Sequence, residues 1–339
     1  MTQPTIAKPA RSHNLRNWLG GLRRRVMRHG DVHVTTDVMN DANPQRYLDP
    51  AALARFGLSP LVARLVVEGF ISGLHKSPFH GFSVEFADHR EYVPGDDLKF
   101  LDWCLFARTD HYYIKRYEEE TNVRCHVLLD RSMSMAFGTG GALTKWDYAC
   151  FLTTCLAYLM IKQQDAVGLT LVGAKPGIQV PPRCRGSHLT QLMSVMVQNP
   201  PSGKTDLASS LRAVMRNLKR RSLVVIISDL IDDPEQTLKA IRMIGSHKHD
   251  VVVFHVLDEA ELNFSFEGST LFRDLETGEE MEVDPVAIRA GYLEHVKELT
   301  ELYRKRLTEV GIDYQPIDTK KPYDHALWAY LQLRQGLRK

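Results

Sequence analysis

An aspartate and two serines alternate in Asp130-Arg-Ser132-Met-Ser134, directly after the strand-like run Val123 to Leu129. On a turn at the end of a buried strand, that alternation projects one carboxylate and two hydroxyls to the same side. Oxygens of this kind suit a hard divalent cation such as Mg²⁺, which takes them at about 2.1 Å in near-octahedral geometry and usually keeps waters. The low charge of the set leaves a position for a ligand from outside. Further oxygens have to come from other loops. The sequence supplies Thr205, in Ser202-Gly-Lys-Thr-Asp206 before a helical stretch, and Asp229, at the end of the apolar run Leu223 to Ser228. Two alternatives stay open: a strand-end turn whose side chains cap the next helix, and a degenerate site that keeps the fold and binds no metal.

The elements that must position these residues follow an α/β rhythm. Lys145 to Lys162 has helical length and period, and Ala166 to Val172 with Gly177 to Val180 forms an antiparallel hairpin around Ala-Lys-Pro-Gly. His188 to Gln198 and Leu207 to Leu218 are helical, Leu223 to Ser228 is a buried strand, Pro234 to Ile244 is a helix opened by proline, and Val251 to Leu257 is another buried strand. Ser269 to Val283 is an inserted hairpin, Val286 to Val310 a long helix, Asp313 to Ile317 a last strand and Tyr323 to Leu337 a closing helix. All-apolar strands separated by helices imply a mostly parallel sheet covered on both faces. In such sheets ligands bind beyond the carboxyl ends of the strands, at the topological switch point. Asp130 and Asp229 both follow a strand directly.

Three segments are expected: a basic, flexible extension over 1–50, a small β-rich subdomain over 51–121, and an α/β domain over 122–339 with its hairpin near 269–284. No Asp or Glu precedes Asp31, and Leu15, Trp18, Leu19, Leu22 and Val26 follow helical spacing, which makes a basic amphipathic helix the alternative to a floppy tail. Such a helix suits an anionic membrane surface or an acidic partner. Neither an apolar core nor a small-residue cleavage site marks this stretch as a secretory signal. Leu58 to Phe70 reads as a helix, Pro94-Gly95 as a turn, Tyr112 to Tyr117 as a strand, and Glu118, Glu119 and Glu120 as a solvated corner.

Composition excludes several classes. Across 339 residues, 43 Lys and Arg against 41 Asp and Glu leave a formal charge of +2, so the chain is not a globally basic nucleic-acid binder, and no specific nucleic acid is expected. No apolar run approaches the roughly 20 residues of a membrane span. Five cysteines without a CxxC pair point to reduced thiols in the cytoplasm, with a peripheral place at a membrane left open by the basic N-terminus. The 14 histidines include no HExxH, Gly138 to Lys145 lacks P-loop spacing, and no GxSxG is present.

Asp130, Ser132, Ser134, Thr205 and Asp229 resemble, in type, order and place in the α/β rhythm, the metal-ion-dependent adhesion site of von Willebrand factor A domains. Upstream, Phe86-Ala-Asp-His-Arg-Glu-Tyr-Val-Pro-Gly-Asp-Asp97, Asp102-Trp103 and Ala107-Arg-Thr109 resemble the signature of a bacterial domain-of-unknown-function family that carries such a domain and is commonly encoded beside MoxR-type AAA+ ATPases. The resemblance spans roughly residues 70–335. It implies a von Willebrand A-like fold, a binding module without turnover, and Mg²⁺ or Mn²⁺ held by Ser132, Ser134 and Thr205. Asp130 and Asp229 would be the charge-compensating pair, and an acidic side chain of a partner, by resemblance a MoxR-type ATPase, would complete the shell. Lys204, directly before the threonine, departs from the pattern, and an ammonium there would weaken the metal or replace it as the cationic contact.

The cluster Arg90, Glu91, Asp96, Asp97, Asp102, Trp103 and Arg108 reads first as a structural clasp and second as a partner-docking face anchored by Trp103. A buried Trp103 would make its truncation chiefly destabilising. The alternative function is a metal-dependent phosphoester hydrolase using Asp130, Asp229, Asp232 and Asp233.

Overall fold

Strands built from Arg-Cys-His-Val-Leu-Leu-Asp, Leu-Val-Val-Ile-Ile-Ser and Asp-Val-Val-Val-Phe-His-Val-Leu have aliphatic side chains on both faces, so they are stable only between two covering layers. The computed structural model describes residues 25–28, 43–47, 84–94, 101–119, 124–139, 143–173, 177–203, 206–218, 220–266, 268, 270–274 and 280–323. In chain order the elements are β1 (Arg25–Arg28), β2 (Val84–Glu91), α1 (Trp103–Thr109), β3 (Tyr113–Glu119), β4 (Arg124–Asp130), α2 (Lys145–Lys162), β5 (Ala166–Val172), β6 (Gln179–Arg183) and α3 (Gly186–Gln198). There follow α4 (Leu207–Asn217), β7 (Leu223–Ser228), α5 (Pro234–Ser246), β8 (Asp250–Leu257), α6 (Glu259–Asn263), β9 (Thr270–Asp274), β10 (Glu280–Val283), α7 (Pro285–Thr308) and β11 (Asp313–Asp318). Single 3-10 turns occupy Pro44–Tyr47 and Met133–Ala136.

The chain divides into two compact units, one of Leu74–Asn122 and one of the remainder. In the larger, six strands run in the order β11-β8-β7-β4-β5-β6, all neighbours parallel except the edge strand β6. This is the mostly parallel α/β sheet expected from the sequence. Leu128, Val224, Ile226, Val251 and Val253 bury one face against α4, α5 and α7. Their neighbours Val127, Leu129, Val225, Ile227, Val252 and Phe254 are fully buried and alternate to the opposite face, where α2 packs on β4, β5 and β8. β4 has β5 on one side and β7 on the other, so the chain order reverses between β4 and β7, and the strand ends carrying Asp130 and Ser228 lie side by side at that reversal.

Within the stretch expected as a hairpin, β9 and β10 form an antiparallel pair, with Phe272 of β9 clustered with Phe264, Tyr292 and Val296. Two pieces of the stretch expected as an extension belong to this unit. β1 hydrogen-bonds along β9, with Val26 opposite Arg273, so Val26 lies on a strand and not on the helix its spacing suggests. Tyr47 is buried against Phe151, ring centroids 5.4 Å apart, and Arg46 pairs with Asp147 of α2 at 2.7 Å. The expected helix Leu58 to Phe70 and all but the first residue of the expected helix Tyr323 to Leu337 lie outside the described residues. No helix among the described residues is long and apolar enough to cross a membrane.

The smaller unit holds the antiparallel pair β2 and β3 with α1 between them in sequence. Glu118 and Glu119 are part of β3, paired with Glu85 and Val84, so the strand takes in two residues of the expected solvated corner; Glu120 lies outside the described residues.

Gly168 sits where the pairing of β5 with β6 shifts register, and an added Cβ there would stand 2.8 Å from the Val180 carbonyl oxygen and the Pro182 nitrogen. Gly168→Ala is expected to lower stability by about 1–3 kcal/mol, read as a reduced Tm in thermal melts. An unchanged Tm would mean that the edge strand moves aside freely.

Candidate functional site

The end of β4 enters a tight turn because Asp130 accepts locally: the Ser132 amide donates to its Oδ1 at 2.9 Å. This places Ser132 and Ser134 side by side, their Oγ atoms 2.8 Å apart. Asp130, Ser132 and Ser134 are all buried. The other Asp130 oxygen, Oδ2, accepts from the Ser228 hydroxyl at 2.6 Å, which ties the end of β4 to the end of β7. The Ser228 hydroxyl also accepts from the Leu230 amide at 2.9 Å.

Thr205 and Lys204 lie outside the described residues, as do Asp96 and Asp97. The chain leading towards Thr205 does reach the motif. The Ser202 amide donates to the Arg131 carbonyl at 2.8 Å, and the Met133 amide, between the two serines, donates to the Gly203 carbonyl at 3.1 Å. Gly203 makes that turn at φ +66°, which an L side chain rarely adopts. On the far side, the Leu207 amide donates to Asp232 Oδ2 at 3.0 Å, anchoring the start of α4 to the loop after β7.

Asp229 is placed differently from Asp130. Its Oδ2 receives the ammonium of Lys145 at 2.7 Å, and the same ammonium reaches Glu261 Oε1 at 3.0 Å. Lys145 is 0% exposed, so this is an ion group of the interior. Its ammonium also faces the Phe137 ring, 5.7 Å from the centroid. Glu261 divides its carboxylate: Oε1 serves Lys145, while Oε2 accepts from the Asp258 amide at 2.8 Å and closes the capping box of α6. The Ile231 amide donates to Asp229 Oδ1 at 3.3 Å, and the His255 imidazole bonds the Asp229 carbonyl at 2.9 Å through Nε2. Lys145 and Glu261 are the residues that sequence reasoning missed. The available signal was a lysine at the first position of a helix, where the positive end of the macrodipole disfavours a cation.

The electrostatics of the two carboxylates diverge accordingly. Burial and the negative charge of Asp229 push the Asp130 carboxyl up to about 6, against the hydrogen bonds from Ser228 and Ser132 that hold it down. Burial pulls the Lys145 ammonium down, but the charges and hydrogen bonds of Asp229 and Glu261 outweigh it and the net shift is upward, so the lysine stays charged.

Oxygens of neighbouring ligands around a cation at about 2.1 Å are roughly 3.0 Å apart in an octahedron, and the Ser132–Ser134 spacing fits that edge. Among the described residues no group of three or more His, Cys, Asp or Glu side chains is arranged to hold a metal. A cation here therefore has to draw on the hydroxyls, with Asp130 as the carboxylate met only by neutral donors. Asp232 and Asp233, assigned to a hydrolytic centre in the alternative reading, accept backbone amides, Asp233 as the N-cap of α5.

In the smaller unit the cluster around α1 separates into two kinds of residue. Asp102 is buried and structural: its Oδ1 accepts from the Cys104 and Leu105 amides at 3.0 and 3.1 Å, and Oδ2 lies 2.9 Å from His89 Nε2. Trp103 is 62% exposed, which corrects the expectation of a buried tryptophan. Its indole meets Phe106 edge-on, and Phe106 stacks on Tyr112 at 4.5 Å. Arg90 and Arg108 are exposed in the same unit.

Residues 88–301 match the family described as "Protein of unknown function DUF58". Among curated proteins, the uncharacterized proteins Rv1480 of Mycobacterium tuberculosis and Mb1516 of Mycobacterium bovis are each 27% identical over 242 residues, covering 70% of this chain and 75% of theirs. Among solved structures, the conserved hypothetical protein BatB from Bacteroides thetaiotaomicron is similar at 14% identity and a TM-score of 0.40, covering 63% of this chain and 99% of its own. The SpRpn10 VWA domain is similar at 12% identity and a TM-score of 0.35, covering 61% and 94%. The sheet order, with its single antiparallel edge, makes the core a mostly parallel α/β sheet.

Two outcomes follow from the site geometry. An unfolded aspartate titrates near 3.9, so the folded chain binds the Asp130 proton more tightly than the unfolded one. The contribution of this group is then most favourable below about pH 4 and is lost as pH rises through about 6. Asp130→Asn is expected to remove that part of the pH dependence in melts from pH 4 to 7 without lowering Tm at pH 7; an unaltered pH dependence would contradict it. Trp103→Ala is expected to leave Tm within about a degree of wild type, since surface truncations shift stability by under ~0.5 kcal/mol.

Proposed function

The chain belongs to the DUF58 family, and on that footing we propose that it is a non-enzymatic adaptor that grips an acidic ligand through a divalent cation. The observation that carries this reading is the buried pair of serine hydroxyls beside Asp130 at the switch point of the sheet, where open α/β folds bind ligands. Ser132 and Ser134, with Thr205 from the adjoining loop, would hold Mg²⁺ or Mn²⁺, and Asp130 would balance its charge. The cation would supply a Lewis-acidic contact for a carboxylate. The chain's own residues orient the hydroxyls, bury Asp130 and hold the Asp229 carboxylate on the Lys145 ammonium. Charge and desolvation at such an interface decide affinity and partner choice.

By the family resemblance, the proposed partner is a MoxR-type AAA+ ATPase, and the joint task is chaperone-like maturation or remodelling of other proteins in the cytoplasm. The exposed Trp103, with Arg90 and Arg108, offers a second contact of the kind that anchors protein interfaces.

Binding to a MoxR-type ATPase, followed by calorimetry, is expected to require Mg²⁺ or Mn²⁺, to vanish with a chelator, and to weaken at least about tenfold in Ser132→Ala, a loss of about 1.4 kcal/mol. Complex formation that is indifferent to both metal and Ser132 would contradict the reading and move attention to the Arg90–Arg108 cluster.

A further inference from the structure

Two carboxylates stand at neighbouring strand ends, and the fold treats them unequally. Asp130 is met by a hydroxyl and an amide, both neutral donors. Asp229 is met by a buried ammonium, and its own carbonyl and second oxygen are held by His255 and Ile231. An interior ion group of this kind is a poor way to gain stability alone, because well-packed apolar side chains of similar volume do as well or better. Its position suggests another use. Lys145 comes from the first turn of α2 and shares its ammonium between Asp229 and Glu261 of α6, so the Asp229 carboxylate is held inward from the strand end beside Asp130.

We propose that Lys145 is a positioning residue that sets the cation affinity of the site, by drawing the Asp229 carboxylate inward and leaving Asp130, among the described residues, as the strand-end carboxylate met by neutral donors. This rests on the cation reading above and specifies how it is regulated. With the Asp229 carboxylate engaged by the ammonium, the chain alone offers a divalent cation a weak, low-charge site. A carboxylate from a partner restores the missing negative charge, so cation and acidic ligand bind in support of one another. Lys204, singled out in the sequence as an ammonium near the site, is not needed for this role.

The test is Mn²⁺ titration of the full chain by calorimetry, with no ligand other than the metal, alongside thermal melts with and without Mn²⁺. Wild type, Lys145→Met, and Lys145→Met combined with Glu261→Gln are compared, the double variant relieving one of the two carboxylates that loss of the ammonium would leave buried. Removing one positive charge from contact with Asp229 is expected to tighten Mn²⁺ binding by about tenfold or more, the scale on which a neighbouring charge alters proton affinity. Mn²⁺ should also raise Tm more in the variants than in wild type. Adding Asp130→Asn should abolish the gain. Wild-type binding with equal or weaker binding in folded variants would overturn the proposal and leave the cation reading intact. Absence of Mn²⁺ binding in wild type and variants alike would overturn both. Loss of fold in both variants that Mn²⁺ does not relieve would also overturn it, because Lys145 would then be a strut of the core.

Discussion

One buried ammonium organises the carboxyl edge of the sheet. Lys145 bridges Asp229 and Glu261 with no exposure to solvent. Desolvating three charges is unfavourable by several kcal/mol per ion, and only close geometry with all remaining hydrogen bonds satisfied offsets it. That requirement fixes the start of α2, the end of β7 and the capping box of α6 relative to one another. The same first turn of α2 is gripped from its other side: Thr144 caps it through the Asp147 amide, and Asp147 takes Arg46 from the N-terminal 3-10 turn. A segment some hundred positions earlier in the chain is thus tied to a residue two positions from the buried ammonium.

From that frame the site follows. β4 and β7 are adjacent and parallel, so their carboxyl ends present Asp130 and Ser228 together, and one hydrogen bond joins them. The turn after β4 then has little freedom. Its amides are taken by Asp130, by Val172 and by Gly203, and the two serine hydroxyls are left facing one another. Hydroxyls so arranged are modest ligands without charge of their own, which suits reversible, ligand-assisted cation binding better than activation of water for hydrolysis.

Much of this was legible in the sequence because its signals are local. Leu223 to Ser228 and Lys145 to Lys162 coincide with β7 and α2, since an all-apolar hexamer between polar turns and an 18-residue helical period admit few other structures. Asp130 and the serine pair were legible from their spacing. The ammonium was not, because its partners come from residues 84 and 116 positions away. Asp102 and Trp103 show the same limit at short range. An aspartate before a helix signals an N-cap, and Asp102 is one, yet adjacency gave no sign that the aspartate is buried while the tryptophan faces solvent. Val26 obeys helical spacing and lies on a strand because β9 offers it an edge to pair with, a tertiary partner that periodicity cannot reveal.

The most direct test of this account is a crystal structure of the chain grown with Mn²⁺ and an acidic peptide, with data collected at the manganese absorption edge. The account predicts one anomalous peak at about 2.1–2.3 Å from both Ser132 Oγ and Ser134 Oγ, with Lys145 still paired to Asp229. A peak bound directly by Asp229 with Lys145 displaced, or no peak at the serine pair, would contradict it.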